Sequence, residues 1–441
     1  MDRIWAVKGS RKLLNAWAFY DWANSVYSLV IASAIFPIFY GALFRVAGIE
    51  KVAVFGFEIA RAPLISYVTS AAFLFIALIT PLLSGIADYL GNKKVFMKFF
   101  CYLGGLSCIG LYWFTLENIY VGLICYFFGL VGFWVSFAIN NSYLPDIAFP
   151  EQQDAVSARG FSMGYIGSVL LLLINLAMVM RPGLFGIDDE AGEAAELIAM
   201  RYSFISVGVW WILFSQYTFI NLPKGYRKEG KREHVILNGF RELRMVWRQL
   251  GQETRLKRYL LAFFVYSMAV QTVMLIATYF GEEEIGWGSD AERTTGLIVS
   301  ILVIQLLAIL GATLTARASA AFGNIRTLMV INIFWLFICI YAYFVITPMD
   351  FYIAAACVGL VMGGIQALSR STYSKFLPET IDTTSFFSFY DVAEKIGIVI
   401  GTFLYGFVAQ FSGSMRNATI FLALFFFFGV LLLARVRKKA S

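Results

Sequence analysis

The chain is poor in charge. Only 14% of its 441 residues are Asp, Glu, Lys or Arg, against about a quarter in soluble domains, which excludes a soluble globular enzyme. Histidine is nearly absent: with His234 alone, no HExxH or HxxxH centre can be assembled. Nor does the chain hold a GxxxxGK[ST] phosphate loop, so an ATP-driven pump is not expected. Proline, at nine residues, is too scarce to interrupt many helices. The five cysteines (Cys101, Cys108, Cys125, Cys339, Cys357) lie in apolar runs without a CxxC pair. They suggest neither a disulfide framework nor a metal cage and are expected to be packing residues.

What is abundant is apolar surface: 60% of residues are hydrophobic and 17% aromatic. Twelve apolar runs approach the twenty residues that a bilayer requires. They fall near residues 16–44, 63–87, 95–115, 119–144, 160–180, 203–222, 259–280, 295–316, 327–347, 351–377, 386–410 and 418–434. The first is too long for a secretory signal and lacks a small-residue cleavage site. The expected class is an all-α polytopic membrane protein, with twelve transmembrane helices in two six-helix bundles.

Lys and Arg set the orientation, because cytoplasmic loops retain positive charge. Placing both ends inside gathers most of the 35 basic residues there, including the run from Lys224 to Arg258. Arg45, Lys51, Arg61, Arg181, Arg201, Arg293 and Arg416 fall outside, and Lys395 lies within the eleventh run. The formal charge of +7 is thus a topological signature, and no nucleic-acid partner is expected. Short loops, the lack of a transit peptide and only a weak sequon at Asn417 point to a bacterial inner membrane.

The longest polar interruption, 223–258, divides the chain into bundles 1–222 and 259–441. Within it Ile236, Phe240, Leu243, Val246, Trp247 and Leu250 recur at helical spacing, with Arg241, Arg244 and Arg248 on another face. This segment reads as an amphipathic helix lying on anionic lipid at 235–250, or else packed on the cytoplasmic ends of the bundles. His234 at its start is expected to be solvated. The halves echo each other weakly: spans four and ten both run into a Pro-Glu pair, Pro150-Glu151 and Pro378-Glu379, ahead of a glycine-bearing helix. Gly160, Gly164 and Gly167, and likewise Gly397, Gly401 and Gly406, are spaced for close helix approach, with a hinge as the alternative.

Ionisable residues within apolar runs are expensive and therefore informative. Asp21 lies in the first run on a stripe with Trp17, Asn24, Ser25 and Ser28, and the eleventh run holds Asp391, Glu394 and Lys395. The four-residue spacing predicts an Asp391–Lys395 pair, leaving Glu394 over. Desolvation favours a protonated carboxylate, so a coupling proton is a candidate ligand; no other cofactor and no metal is expected.

The segment Ser84-Gly85-Ile86-Ala87-Asp88-Tyr89-Leu90-Gly91-Asn92-Lys93-Lys94 resembles the signature loop of the major facilitator superfamily, with Ser84, Tyr89 and Asn92 replacing the usual residues. The resemblance implies that Asp88 is a gate residue, accepting hydrogen bonds from the start of span eleven near Thr383 to Ser385. The corresponding loop after span eight has Ala320 where the Asp would stand, so only the first half is expected to keep the latch.

Three further runs narrow the resemblance: Tyr20-Asp21-Trp22-Ala23-Asn24-Ser25, Ser157-Ala158-Arg159-Gly160 and Gly363-Gly364-Ile365-Gln366-Ala367-Leu368-Ser369-Arg370-Ser371. Together they look like the vacuole-effluxer family, whose fungal members are autophagy-related vacuolar amino-acid exporters. Lys395 fits that family's pattern, whereas Asp391 and Glu394 depart from its usual small residues. The resemblance implies an alternating-access transporter of a small solute, neutral amino acids in the export direction first, and a monomer. Asp21, Asn24, Asn140, Asn141, Gln366, Arg370, Asp391, Glu394 and Lys395 become substrate or coupling candidates, with Asp88 and Arg159 at gates. A zwitterion would use Arg370 or Lys395 for its carboxylate and Asp21 for its ammonium. Trp17, Phe19, Trp134, Phe137, Tyr143, Phe389 and Tyr390 are the expected lining. Multidrug efflux is the alternative; from other classes, a polytopic membrane enzyme lacks its clustered site, and a transporter-like receptor would bind without translocating.

Overall fold

A computed structural model describes residues 8–189, 194–224 and 235–437. It contains twelve helices long and apolar enough to cross a membrane. The first half holds Arg11–Ala47, Pro63–Leu90, Lys93–Trp113, Ile119–Ile147, Pro150–Met180 and Ala195–Asn221 (spans 1 to 6). The second holds Thr254–Glu284, Thr295–Phe322, Asn324–Phe344, Pro348–Phe376, Thr383–Ser412 and Met415–Val436 (spans 7 to 12). Most extend beyond their apolar runs; span 7 begins at Thr254 rather than at 259, because the helix continues into water once its apolar segment ends. His234 and the basic residues 438 and 439 lie outside the described residues.

Each half has its own core, built on Trp17, Phe36 and Trp211 in the first and on Tyr259, Tyr266 and Trp335 in the second. Tyr165 of span 5 crosses over, packing into the second half's core with Phe161 beside it. All five cysteines are free and at least half-buried or more deeply enclosed, consistent with packing.

Two features depart from the all-α expectation. Between spans 1 and 2 a hairpin pairs β1 (Lys51–Val54) with β2 (Phe57–Ala60), Val54 opposite Phe57. Phe55 and Gly56 both take positive φ, +50° and +82°, as a two-residue hairpin turn of the primed type requires. The turn is held by span 4, where the Tyr120 hydroxyl accepts from the Phe55 amide at 2.9 Å. Span 1 also widens into a π-helix over Tyr27–Ile35, and Ser33 Oγ donates across it to Ser28 O at 2.8 Å. Such widening is rare and frequent at functional sites.

The linker helix, Val235–Gln252, lies against the bundles, which is one of the two arrangements expected from its sequence. One face is packed on the bundles: Gly239 meets Gly85 of span 2 backbone to backbone, Asn238 Nδ2 donates to Tyr89 Oη at 2.9 Å, and Val246 and Leu250 are buried. Trp247 also contacts Phe389 of span 11, at 5.3 Å between ring centroids. The other face leaves Leu237, Phe240, Arg241, Arg244 and Arg248 exposed.

Candidate functional site

The end of the bundle nearest the linker helix is closed by three layers of contacts between the halves. In the outermost, Asp88 at the end of span 2 accepts from the first amides of span 11, Ser385 N at 2.7 Å and Thr384 N at 3.4 Å. Those amides lack intrahelical partners and carry the positive end of the helix dipole, so a carboxylate suits them. Beside it Lys93 of span 3 pairs with Asp146 at 2.5 Å and donates to Thr383 Oγ1 at 3.0 Å, with Tyr143 under its ammonium.

The second half is latched too, which corrects the expectation drawn from Ala320. Asp154, in the first turns of span 5, accepts from Ser319 Oγ (2.8 Å), Asn324 Nδ2 (2.9 Å) and Lys375 Nζ (2.7 Å). The polarity is reversed: the loop after span 8 supplies donors, and the carboxylate comes from the opposite half. A missing Asp in one loop does not reveal an Asp in another, so pattern matching by half overlooks this latch.

The innermost layer is a buried ion pair. Arg370 of span 10 directs Nη1 and Nη2 to Asp21 Oδ2 of span 1, both at 3.2 Å. Its remaining donors reach Asn141 Oδ1 (2.9 Å), Ser157 Oγ (2.9 Å) and Ser157 O (3.0 Å). All five guanidinium N–H groups are therefore satisfied. Arg370 and Asp21 are each about 1% exposed, and Trp17 and Phe161 lie against the guanidinium at 4.6 and 4.3 Å. Gly160 is required here: a methyl in its place would overlap Asp21 Oδ2 and approach Arg370 Nη2 to 3.0 Å.

Above this pair lies a cavity of about 290 Å³ between the halves. Asp21, Asn141, Gln366, Arg370 and Glu394, together with Gln271 and Gln305, supply much of its polar wall, and Trp134, Phe137, Phe161, Tyr165, Phe263 and Tyr390 much of its aromatic one. The π-helical part of span 1 contributes Ser28, Ala32 and Ser33, and the exposed Ser33 and Leu275 stand at its rim. Across the middle, Tyr165 Oη donates to Gln366 Oε1 at 2.7 Å. The geometry is that of a solute chamber shut on the linker side.

Not every candidate reaches this chamber. Asn24 and Asn140 are buried behind it, Asn140 donating weakly to Asp21 Oδ1 at 3.5 Å. Asp391 and Lys395 are buried one layer back. Glu394 is not left over: Lys395 contacts Glu394 Oε2 at 2.7 Å as well as Asp391 Oδ1 at 3.0 Å, and Gln271 Nε2 donates to Glu394 Oε1 at 2.8 Å. A flexible lysine stem lets one ammonium serve both carboxylates, which the spacing rule does not anticipate.

Arg159 is a correction as well. It is exposed and donates to Asn15 Oδ1 at 2.5 Å, in a separate outer pocket with Phe19, Phe214 and Tyr217. The turn of span 5 points it away from the interface between the halves, so it takes no part in the closure. Of the expected aromatic lining, Trp134, Phe137 and Tyr390 face the chamber. Trp17 lies beneath Arg370, Phe19 in the outer pocket, Tyr143 under Lys93 and Phe389 against the linker helix. Ser157, Asp146, Asp154, Lys375 and Gln271 were not singled out by sequence as site residues. Ser157 stood in a quoted motif, and the others had no local signal beyond polarity near helix ends.

Comparison with known proteins agrees with this architecture. The family described as vacuole effluxer Atg22 like matches residues 9–441. An uncharacterized MFS-type transporter of Bacillus subtilis, YxiO, is 31% identical over 99% of this chain and 97% of its own length. Autophagy-related protein 22 of Saccharomyces cerevisiae is 24% identical over 83% of this chain and 75% of its own. Among solved structures, the major facilitator transporter FucP in the outward conformation superposes with a TM-score of 0.70, covering 98% of this chain and 99% of FucP at 15% identity. A bacterial homologue of the iron transporter ferroportin, outward-facing, gives 0.64 over 96% and 98% at 11% identity; both likenesses concern the fold. The chain is an MFS-type transporter and belongs to the Atg22-like vacuole effluxer family.

Proposed function

We propose that the protein is a secondary transporter exporting neutral amino acids by alternating access, with a proton as coupling ion. The observation that carries this reading is the chamber between the halves, closed on the linker side by the Asp21–Arg370 pair and the two carboxylate latches. Rocking the halves apart around a midplane site would break those contacts and open the opposite face. Glu394, the acidic group at the chamber wall that is not committed to Arg370, is the proposed proton carrier. Export is supported by membership of a family described as vacuole effluxers, and amino acids are the solute that the family resemblance implies.

The linker side is taken as cytoplasmic because Lys and Arg concentrate there. A bacterial plasma membrane, with both termini inside, is favoured by the Bacillus relative. The exposed Arg241, Arg244 and Arg248 of the linker helix are proposed to rest on anionic lipid, and the working unit is proposed to be a monomer. A second reading, efflux of other apolar small solutes, is favoured by the predominance of aromatic rings in the chamber wall.

The test is uptake of labelled neutral amino acids into proteoliposomes, with and without an imposed pH gradient, against protein-free liposomes. Gradient-driven accumulation is expected. Flux that ignores the gradient would remove the proton, and no amino-acid flux with folded protein would leave the second reading.

A further inference from the structure

We propose that the chamber reads its solute through a protonated amine at Glu394, and that in this closed-to-the-linker state it has no site for the solute's carboxylate. The inference rests on the reading of the chamber as the solute site and narrows the class of solute it takes.

Three observations carry it. Among the described residues, both cations near the chamber are already paired with carboxylates. Arg370 has all five N–H groups engaged by Asp21, Asn141 and Ser157. Lys395 is held by Asp391 and Glu394 and lies over the Trp134 ring, 3.4 Å from its centroid. A carboxylate entering the chamber therefore meets no donor charge without dismantling a buried pair, and an uncompensated buried charge is costly.

The charge balance is also one-sided. Among the described residues, the charged groups facing the chamber are Asp21, Arg370 and Glu394; the first two neutralise each other. Adding Asp391 and Lys395 behind the wall leaves three carboxylates against two cations, one net negative charge in a low-dielectric enclosure. Asp391 Oδ2 is buried with no hydrogen-bond partner among the described residues, so this anionic cluster remains short of a donor. An ammonium brings up to three donors and a positive charge.

Glu394 is positioned to take it. Its side chain is 14% exposed, whereas those of Asp391 and Asp21 are 5% and 2%. Each oxygen accepts one bond, from Gln271 and Lys395 respectively, and keeps a further lone pair. Trp134, Phe263, Tyr266 and Tyr390 line the same chamber, giving it an aromatic wall for an apolar body. The solute class is thus an apolar or aromatic primary amine, with a neutral amino acid as one member and its carboxylate dispensable.

The experiment measures binding of phenylalanine, 2-phenylethylamine and 3-phenylpropionate to the purified full-length protein in nanodiscs by calorimetry, alongside uptake of labelled phenylalanine into proteoliposomes. The amine is expected to bind within a few-fold of phenylalanine, and 3-phenylpropionate at least tenfold more weakly. Glu394→Gln is expected to weaken amine binding at least tenfold, with Glu394→Asp intermediate. Equal binding of amine and carboxylate, or no binding of the amine, would overturn the proposal. Phenylalanine uptake persisting in that case leaves the transport reading standing. Amine binding without phenylalanine uptake would instead support the subsite and reject the amino-acid assignment. Because the ligand series is run on the unaltered protein, misfolding of a variant does not blunt the test.

Discussion

Arg370 and Asp21 lie 349 positions apart in the chain and meet as a buried pair, both terminal guanidinium nitrogens on one carboxylate oxygen at 3.2 Å. One comes from span 10 and the other from span 1, so the pair joins the halves at the floor of the chamber. Whatever opens the linker side has to separate these two charges or carry one across.

The first prediction concerns that pair. Arg370→Ala strands Asp21 in a buried site, and removing one partner of such a pair is destabilising by roughly 3–5 kcal/mol. Transport is expected to fall below detection while Lys98→Ala, away from the chamber, retains it. Asp21→Asn with Arg370→Gln should recover much of the thermal stability without recovering transport; equal activity of Arg370→Ala and Lys98→Ala would remove the pair from the mechanism.

A second prediction concerns the latches. Asp88→Asn exchanges charge-assisted bonds to two helix-terminal amides for weaker neutral ones and should bias the protein toward opening on the linker side. Asp154→Asn should act in the same direction from the other half, and the double variant more than either. Thiol labelling of single cysteines placed in the linker-side crevice reports this as faster modification, and unchanged rates in the double variant would refute it.

Gly160 offers a third. Gly160→Ala places a methyl against Asp21 Oδ2 and Arg370 Nη2, whereas at Gly406 a methyl meets nothing within 4 Å. Gly160→Ala should reduce transport at least tenfold and lower the melting temperature, with Gly406→Ala close to the parent protein in both. A neutral Gly160→Ala would show that the ion pair shifts freely.

The linker helix supplies the fourth. Replacing Arg241, Arg244 and Arg248 together by Gln removes three positive charges, each worth about 1 kcal/mol near an anionic surface. The stimulation of transport by phosphatidylglycerol in proteoliposomes is expected to shrink, with activity in neutral lipid unchanged. Full retention of the lipid dependence would confine the helix to its packing against spans 2 and 11.

Some of this could be read residue by residue. Hydropathy located all twelve spans, because insertion into a bilayer is a local property of each segment. Asp21, Asp391, Glu394 and Lys395 stood out because ionisable side chains in apolar runs need a partner or a cavity, and Gln366 and Arg370 through the family resemblance. Arg159 and Arg370 look alike in sequence, both near the linker-side end of a helix. Only the rotation of each helix in its bundle turns Arg370 inward and Arg159 outward to Asn15.

The sequence by itself determined the class, the span count, the division into halves and the family resemblance, since these follow from composition and short-range pattern. Tertiary structure alone decided which charges pair. Asp154 came to serve the latch that Ala320 cannot, and Lys395 came to bridge Glu394 as well as Asp391. Pairing depends on distances between segments far apart in the chain, and in a low-dielectric interior a shift of an ångström or two decides whether a charge is neutralised.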